Sequence, residues 1–483
     1  MRVVHIAMEG ARLTIVNRGM MLLRVITLSA AAISAQSPSS YSNSDKSKIH
    51  NFWNERGRFE VEAPAERANR GPWVVRLSPE GSMWLYNYSS YRGIGKNQTL
   101  KKQLPDSGTV HEWDAWVNAK VAYDRYSAGL GVSEADSRYL GRQVPNTMAS
   151  ATNPGTEPAD LIKFAGVAPE FASAVVPNAY LVNFPDGTLV KMADNPAMRS
   201  NFSAYRFPQG VMSGGTPVRT LPDEELNDLF SAAGIDGSTA KVMKAVSILE
   251  GGFDSVNTYD TGFVSVGLIQ FACLSKGAGS LGMVLLREKT NDSKAFNEDF
   301  HRFGLDVTQD GQLVALGIDD GQVYQGTAAA HQIIDDKRLV SVFQHAGQKS
   351  RSFRVAQLQI AKEQYYPCND LVTLNLNGQT LTAKISDIIR SEAGMATLMD
   401  RKVNTGKTDP LVSVLNQIGG SYGCRSVEDL AAHERDVIVA CKYRKDYTQD
   451  ASLTQPGSIA LRSMSSVSRH GTRGMRQKKD PSR

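Results

Sequence analysis

The alternation of hydrophobic and polar positions changes character near the middle of the chain. Before about residue 215, short apolar and aromatic runs such as "PWVVRLS" and "SMWLYNYSSY" predict β-strands. Two apolar runs around a Pro-Asp-Gly turn predict a hairpin over Ala179–Ala193. One longer segment, Glu112–Gly131, predicts a helix that stops at its glycine. The pattern indicates a mixed α+β N-terminal domain over residues 51–215, of unknown role.

Aromatic residues are dense in the first part of this domain. Such a density is typical of a β-sheet core, which we favour, although the same side chains could form a platform on which sugars stack. The residues are Trp73, Trp84, Tyr86, Tyr88 and Tyr91.

Helical periodicity dominates after the segment "SGGTPVRTLP" (Ser213–Pro222), which predicts a domain boundary. The pattern predicts six helical segments and, around Asn377-Gly378, one hairpin. It therefore indicates an α+β, mainly helical domain over residues 222–450. The helical segments are "PDEELNDLFSAAG", "STAKVMKAVSILEGG", "AAAHQIIDDKRLVSVFQHAGQ", "SFRVAQLQIAKEQYY", "ISDIIRSEAGMATLMDRKV" and "SVEDLAAHERDVIVACKYRKDY".

The two ends of the chain read as segments outside the folded domains. Residues 1–35 contain an apolar stretch with basic residues near its start and small residues at its end, Ala35 being the expected last residue before cleavage. This pattern predicts a signal peptide, and hence export to the periplasm, the cell wall or the medium. Residues 36–50 are a polar linker and residues 455–483 a basic disordered tail. No other segment is apolar and long enough to cross a membrane.

Charge is unevenly distributed. The whole chain carries a net charge of +5, yet Leu221–Asp450 contains 23 Lys and Arg against 30 Asp and Glu, a balance of −7. An acidic body argues against a nucleic-acid-binding protein, a reading that would rest on the tail alone.

The cysteines and histidines predict neither a cofactor nor a metal site. Buried free thiols or two disulfides are both compatible with the four cysteines, none of which forms a CxxC pair or lies near clustered histidines. These cysteines are Cys273, Cys368, Cys424 and Cys441.

The strongest chemical signal is "ILEGGFDSVNTYDTGFVSVGLIQF" (Ile248–Phe271). Glu250 falls in the last turn of a predicted helix, where the helix dipole disfavours an acid, and a departure from local preference of this kind points to a functional site. A polar ribbon with Asp260 follows. Glycosidases need one carboxylic acid to protonate the leaving oxygen and a second carboxylate on the other side of the sugar. Glu250 between apolar neighbours suits the acid, and Asp260 suits the carboxylate, with Asp254 as its rival.

This stretch resembles the catalytic segment of the lysozyme-like superfamily. "DTGFVSVG" is similar to the ribbon of phage-type lysozymes, and "EGGF…GLIQF" resembles the Glu-Ser-Gly-Phe…Gly-Leu-Met-Gln pattern of lytic transglycosylases, in which Gln270 matches the Gln. Bacterial chitosanases are the nearest in motif order, since "SFRVAQLQIAKEQYYPC" and "GMATLMDRKVNTG" also resemble their segments. The resemblance covers about residues 222–447.

The resemblance implies roles for named residues. Glu250 would be the general acid, Asp260 the base that activates water, and Ser265 the residue that positions this water. Asp400 would lie behind the site in an ionic network with Arg401 or Arg354.

The expected activity is that of an exported, monomeric glycosidase. Its substrate would be a β-1,4-linked amino-sugar polymer, with peptidoglycan slightly ahead of chitosan and no nucleic-acid partner. The alternative is a cell-wall-binding or structural protein that keeps the lysozyme-like scaffold without catalysis.

Overall fold

The computed structural model describes residues 41–62, 74–92, 108–140, 150–200 and 202–457. The predicted leader, residues 36–40 of the predicted linker, Trp73 and nearly all of the basic tail lie outside these residues. The prediction of a linker over residues 41–50 is wrong, because Ser42 caps a helix over Asn43–Trp53 whose Ile49 is buried in the core. The described residues belong to one compact unit and form an α+β fold with more helix than strand. None of their helices is both long and apolar enough to cross a bilayer.

The first half of the chain alternates short strands with helices. Its helices are α1 (Asn43–Trp53), α2 (Pro79–Arg92), α3 (Gly108–Leu140) and α4 (Ala159–Ala165), and its strands are β1 (Phe59–Glu62), β2 (Val74–Leu77), β3 (Ala172–Val175), β4 (Ala179–Asn183), β5 (Leu189–Ala193) and β6 (Met212–Ser213).

The second half is mainly helical. Its helices are α5 (Asp223–Ala232), α6 (Gly237–Ser247), α7 (Gly279–Asn291), α8 (Ser293–Asp299), α9 (Thr327–Asp335), α10 (Lys337–Lys349), α11 (Arg351–Tyr365), α12 (Ile385–Ile388), α13 (Glu392–Thr405), α14 (Leu411–Tyr422), α15 (Val427–Ala431) and α16 (Glu434–Ala440). Its strands are β7 (Val256–Asn257), β8 (Ser265–Val266), β9 (Phe271–Ala272), β10 (Leu305–Val307), β11 (Leu313–Leu316), β12 (Val323–Gln325), β13 (Leu371–Leu376) and β14 (Gln379–Lys384).

The described strands form five small antiparallel sheets. The sheet that concerns function has the order β6-β7-β8-β9 and is the predicted polar ribbon with one added strand. That strand, β6, comes from the first half of the chain and pairs Ser213 with Val256. The halves on either side of the predicted boundary are therefore joined by main-chain hydrogen bonds.

One hydrophobic core runs through both halves. Helix α1 contributes Ile49 and Trp53 to the same buried cluster as Phe303. The indole of Trp53 is 2% exposed and donates its Nε1–H to the Phe303 carbonyl oxygen at 2.9 Å. A smaller cluster holds α2, α3 and Tyr259 of the ribbon. The division into domains 51–215 and 222–450 stays a prediction. Residues of both predicted domains contribute to the larger core.

The segment "SMWLYNYSSY" forms most of helix α2, so its prediction as a strand is wrong. Its residues Trp84, Leu85 and Tyr88 lie on one helical face and are buried, with Trp84 and Tyr88 stacked at 5.2 Å between ring centroids. Tyr86 and Tyr91 are 39% and 38% exposed. Alternating aromatic residues suggested a strand, but spacings of one and four residues fit a helix equally well, and tertiary packing decides.

Helix α3 also departs from prediction, since it continues through Gly131 to Leu140. A Cβ at Gly131 would meet open space. The glycine is therefore an exposed position in the helix interior, which costs about 1 kcal/mol relative to Ala but does not end the helix.

Both predicted hairpins are confirmed, as β4–β5 and β13–β14. Of the last four predicted helical segments, one forms α11, while the other three are each divided into two helices.

All four cysteines are free thiols, and three of them are buried. Burial raises the pKa of Cys273 to about 12, which makes this thiol a packing residue rather than a nucleophile.

Trp53→Phe is expected to lower the free energy of unfolding by about 1–3 kcal/mol, because the buried Phe303 carbonyl would lose its donor. Chemical denaturation measures this difference. Asn51→Ala, an exposed position on the same helix, should change the free energy by no more than about 0.5 kcal/mol. Equal free energies of unfolding for the two variants would contradict a role of Trp53 in anchoring α1.

A second expectation concerns Glu288 on α7, which is fully buried. Burial and the neighbouring Asp299 and Asp292 raise its pKa to about 10, so the folded protein holds this proton far more tightly than the unfolded chain. The stability contributed by protonated Glu288 is therefore fully present below about pH 4.5. It is lost as pH rises towards 10, by up to about 1.4 kcal/mol per pH unit.

Denaturation of wild type and Glu288→Gln between pH 5 and 9 tests this sign. The stability of the wild type relative to the variant should fall as pH rises. Glu298→Gln, an exposed glutamate on the next helix, is the matched control and should run parallel to wild type. A difference between wild type and Glu288→Gln that does not depend on pH would contradict the expectation.

Candidate active site

Glu250 lies in the turn that follows helix α6. The helix is fixed at its start by Asp236, whose carboxylate accepts from the Thr239 amide at 2.9 Å, and by Val242 and Val246, which are fully buried. It ends at Ser247, and the Glu250 amide donates to the Ser247 carbonyl at 3.0 Å. Glu250 is therefore three residues beyond the helix rather than in its last turn.

The loop after Glu250 is pressed against the strip Gly214–Leu221. The Gly252 amide donates to the Gly214 carbonyl at 3.0 Å. A Cβ at Gly252 would come within 2.0 Å of the Thr216 carbonyl oxygen, so this close approach of two backbones requires glycine.

The Glu250 carboxyl group is held by two partners. Its side chain is 11% exposed; Oε1 lies 2.5 Å from Nη2 of Arg444 and accepts from Nδ2 of Asn404 at 3.1 Å. Burial raises the pKa of Glu250 above its usual range, an effect that Arg444 and Asn404 reduce without cancelling. An acid with this environment retains its proton to higher pH than an exposed glutamate.

Asp400 lies behind Glu250 and completes an ionic network. It is 1% exposed, and its carboxylate accepts from Nε and Nη2 of Arg444, the former at 2.8 Å. Asp400 and Asn404 are four residues apart on α13, so they occupy the same helical face. The guanidinium of Arg444 thus bridges Asp400 and Glu250.

Arg444, rather than Arg401 or Arg354, is the partner of Asp400. The guanidinium of Arg401 donates to the backbone carbonyls of Asp409, Cys441 and Lys442. Arg354 pairs with Glu225 and donates to the carbonyls of Gly347 and Gln348, at a separate cavity. Both arginines are used by the surrounding backbone, which leaves Arg444 to bind Asp400.

Asp260 occupies the turn between β7 and β8. Its Oδ1 accepts from the Gly262 amide at 2.8 Å and its Oδ2 from Asn257 Nδ2 at 3.0 Å. Ser265, 5% exposed, pairs across the ribbon with Asn257. A Cβ at Gly262 would lie 2.5 Å from the Ser265 hydroxyl and 3.0 Å from Asp260 Oδ1. The structure therefore brings Asp260 and Ser265 together.

Gln270 braces the ribbon from within. It adopts φ +56° and donates its side-chain amide to the Ser255 hydroxyl at 2.6 Å and the Gly267 carbonyl at 3.2 Å. This places Gln270 in a supporting role for the backbone that carries Asp260.

A cleft of about 320 Å³ opens beside Glu250. Asp260, Ser265 and Gln270 are not among its lining residues, so the structure groups Glu250 with Asp400 and, separately, Asp260 with Ser265. The lining consists of Gly214, Gly215, Pro217, Val218, Arg219, Ser247, Ile248, Leu249, Glu250 and Gly251.

Asp254, the rival of Asp260, lines a different cavity of about 430 Å³. It is 3% exposed and accepts from the Thr216 amide at 2.7 Å and from Gln348 Nε2 at 3.1 Å. These donors explain Asp254 as a structural carboxylate that secures the strip Gly214–Leu221 to α10.

Sequence reasoning missed Arg444 and Asn404. Asn404 could have been found from its spacing of four residues after Asp400 on a predicted helix. Arg444 gave no such signal, because it follows α16 in an irregular segment. Among the described residues, no group of three or more His, Cys, Asp or Glu side chains could hold a metal ion.

In comparisons with protein-family models, curated proteins and solved structures, nothing matches this chain. The case for function therefore depends on the residues themselves.

Arg444→Gln removes the positive charge beside Glu250 and leaves Asp400 without its cation. Both effects should raise the pKa of Glu250 further. An NMR titration of the glutamate carboxyl carbons measures this shift, with Glu250→Gln identifying the signal. Arg401→Gln, a nearby arginine that makes no ion pair with Asp400, should leave the titration unchanged. A lower pKa in Arg444→Gln would contradict the network described.

Proposed function

We propose that this protein is a glycoside hydrolase that cleaves β-1,4-linked amino-sugar polymers, with peptidoglycan ahead of chitosan. The observation that carries the proposal is the Glu250 carboxyl group, which is sheltered from water at the wall of a cleft and has a raised pKa. A general acid at a glycosidic bond needs this combination of contact with substrate and a retained proton.

The ionic network behind Glu250 supports the same role. Arg444 fixes the carboxyl group in position and is itself fixed by the buried Asp400. The resemblance to chitosanases led us to expect Asp400 behind the acid. In the proposed mechanism, Glu250 donates its proton to the leaving oxygen, and Arg444 stabilises the carboxylate that remains.

Asp260 is proposed as the base and Ser265 as the residue that positions the attacking water. Support comes from their proximity in the ribbon and from the two donors that orient the Asp260 carboxylate. Export through the predicted signal peptide and action as a monomer belong to the same proposal.

A second candidate is a cell-wall-binding protein without catalysis. It is favoured by one observation: the cleft beside Glu250 is not lined by Asp260. A scaffold of this kind would use the cleft to bind a glycan and would leave its bonds intact.

Glu250→Gln should lower the release of reducing ends by at least about 100-fold, because glutamine cannot donate the proton. Release is measured from purified peptidoglycan and from chitosan. Glu298→Gln is the matched control and should act as wild type. Equal release by wild type and Glu250→Gln would contradict the proposal, and binding without release by both would support the scaffold candidate.

Asp260→Asn and Asp254→Asn, compared in the same assay, assign the base. Loss of reducing-end release in Asp260→Asn alone supports the proposal. Loss with Asp254→Asn alone, in a protein of unchanged melting temperature, would transfer the role to Asp254.

A further inference from the structure

The cleft beside Glu250 contains a second charged side chain, Arg219. It lies in the 3-10 turn Val218–Thr220, within the strip Gly214–Leu221, which lines the cleft together with the α6 end. Arg219 is exposed, and it makes no hydrogen bond, ion pair or ring contact with the residues that the structure describes. Its guanidinium is thus available to a ligand in the cleft.

The backbone beneath Arg219 is firmly held. Val218 is 5% exposed within the main core, and the Thr220 amide donates to the Pro217 carbonyl at 2.8 Å. The neighbouring strip is secured by Asp254, through its hydrogen bond with the Thr216 amide. The position of this arginine is therefore set by the fold, while its side chain remains in solvent.

Arg219 is not needed to balance the charge of Glu250. That carboxyl group already contacts Arg444 and Asn404 from behind. The remaining cleft wall is largely apolar at the α6 end, with Ile248 and Leu249 52% and 38% exposed. An apolar wall with a few charged groups is typical of a site that orients a ligand by its polar substituents.

We propose that Arg219 determines specificity by binding a carboxylate carried by the polymer. This inference rests on the proposed function and refines its substrate class. A guanidinium attracts carboxylates and pairs with them in a planar fork, whereas it repels the ammonium groups of a polycation such as chitosan. The cleft thus selects the anionic polymer although the surrounding domain is acidic.

The test uses one polymer in two charge states. Peptidoglycan strands are assayed as isolated and after carbodiimide amidation, which neutralises their carboxylates. Arg219→Gln should raise KM about three- to tenfold on the isolated strands, with kcat little changed, and should have no effect on the amidated strands. Arg219→Lys, which keeps the charge, should recover most of the affinity.

Controls separate this inference from the proposed function. Arg435→Gln removes an exposed arginine outside the cleft lining and should behave as wild type on both polymers. Added salt should raise the KM of wild type for the isolated strands more than that of Arg219→Gln. An unchanged KM in Arg219→Gln, or an equal change on isolated and amidated strands, overturns the role of Arg219 and leaves the proposed hydrolase standing.

If wild type cleaves chitosan but neither form of the strands, the hydrolase stands and the role of Arg219 is overturned. If wild type cleaves none of the three, the proposed hydrolase fails, and Arg219 is judged by co-sedimentation with the two forms of the strands. Weaker binding of Arg219→Gln to the isolated strands alone supports the inference. Equal binding of wild type and variant to both forms overturns it.

Discussion

The guanidinium of Arg444 connects the parts of the candidate site. It contacts Glu250 on one side and the buried Asp400 on the other, so two carboxylates that would otherwise repel share one cation. Breaking such a buried network by removing one member is costly, because the remaining charges lose their partners in a poorly hydrated environment. This makes the network both a structural tie between α13 and the α6 end and a control on the proton of Glu250.

A second constraint is the contact between two backbones at Gly252. The strip Gly214–Leu221 approaches so closely that it forms one wall of the Glu250 cleft on one face and a wall of the Asp254 cavity on the other. Asp254 secures this strip, although it lies outside the cleft. The shape of the candidate site therefore depends on residues that do not line it.

Local patterns predicted much of the secondary structure and the residues worth examining. Turn residues at Asn377-Gly378 and the acidic first turn of α5 act within a few positions, and their elements were predicted correctly. The partner of Asp400 was not predicted, since Arg444 reaches it only through tertiary folding. Helix α2 was not predicted for the same reason: its aromatic pattern fits a strand or a helix, and tertiary packing of one helical face decides between them.

Helix α1 bears on how the chain is made. The hydrogen bond from Trp53 to Phe303 joins residues that are 250 positions apart in sequence. At about 5–20 residues per second, a ribosome needs on the order of 10–50 s to synthesise the interval between them. Phe184, whose ring centroid lies 6.2 Å from that of Trp53, is made earlier, but the Phe303 part of the surface that covers α1 is missing during this time. The first helix of the described chain therefore completes its packing only after more than half of the chain has been synthesised, and until then part of its apolar face is open to aggregation.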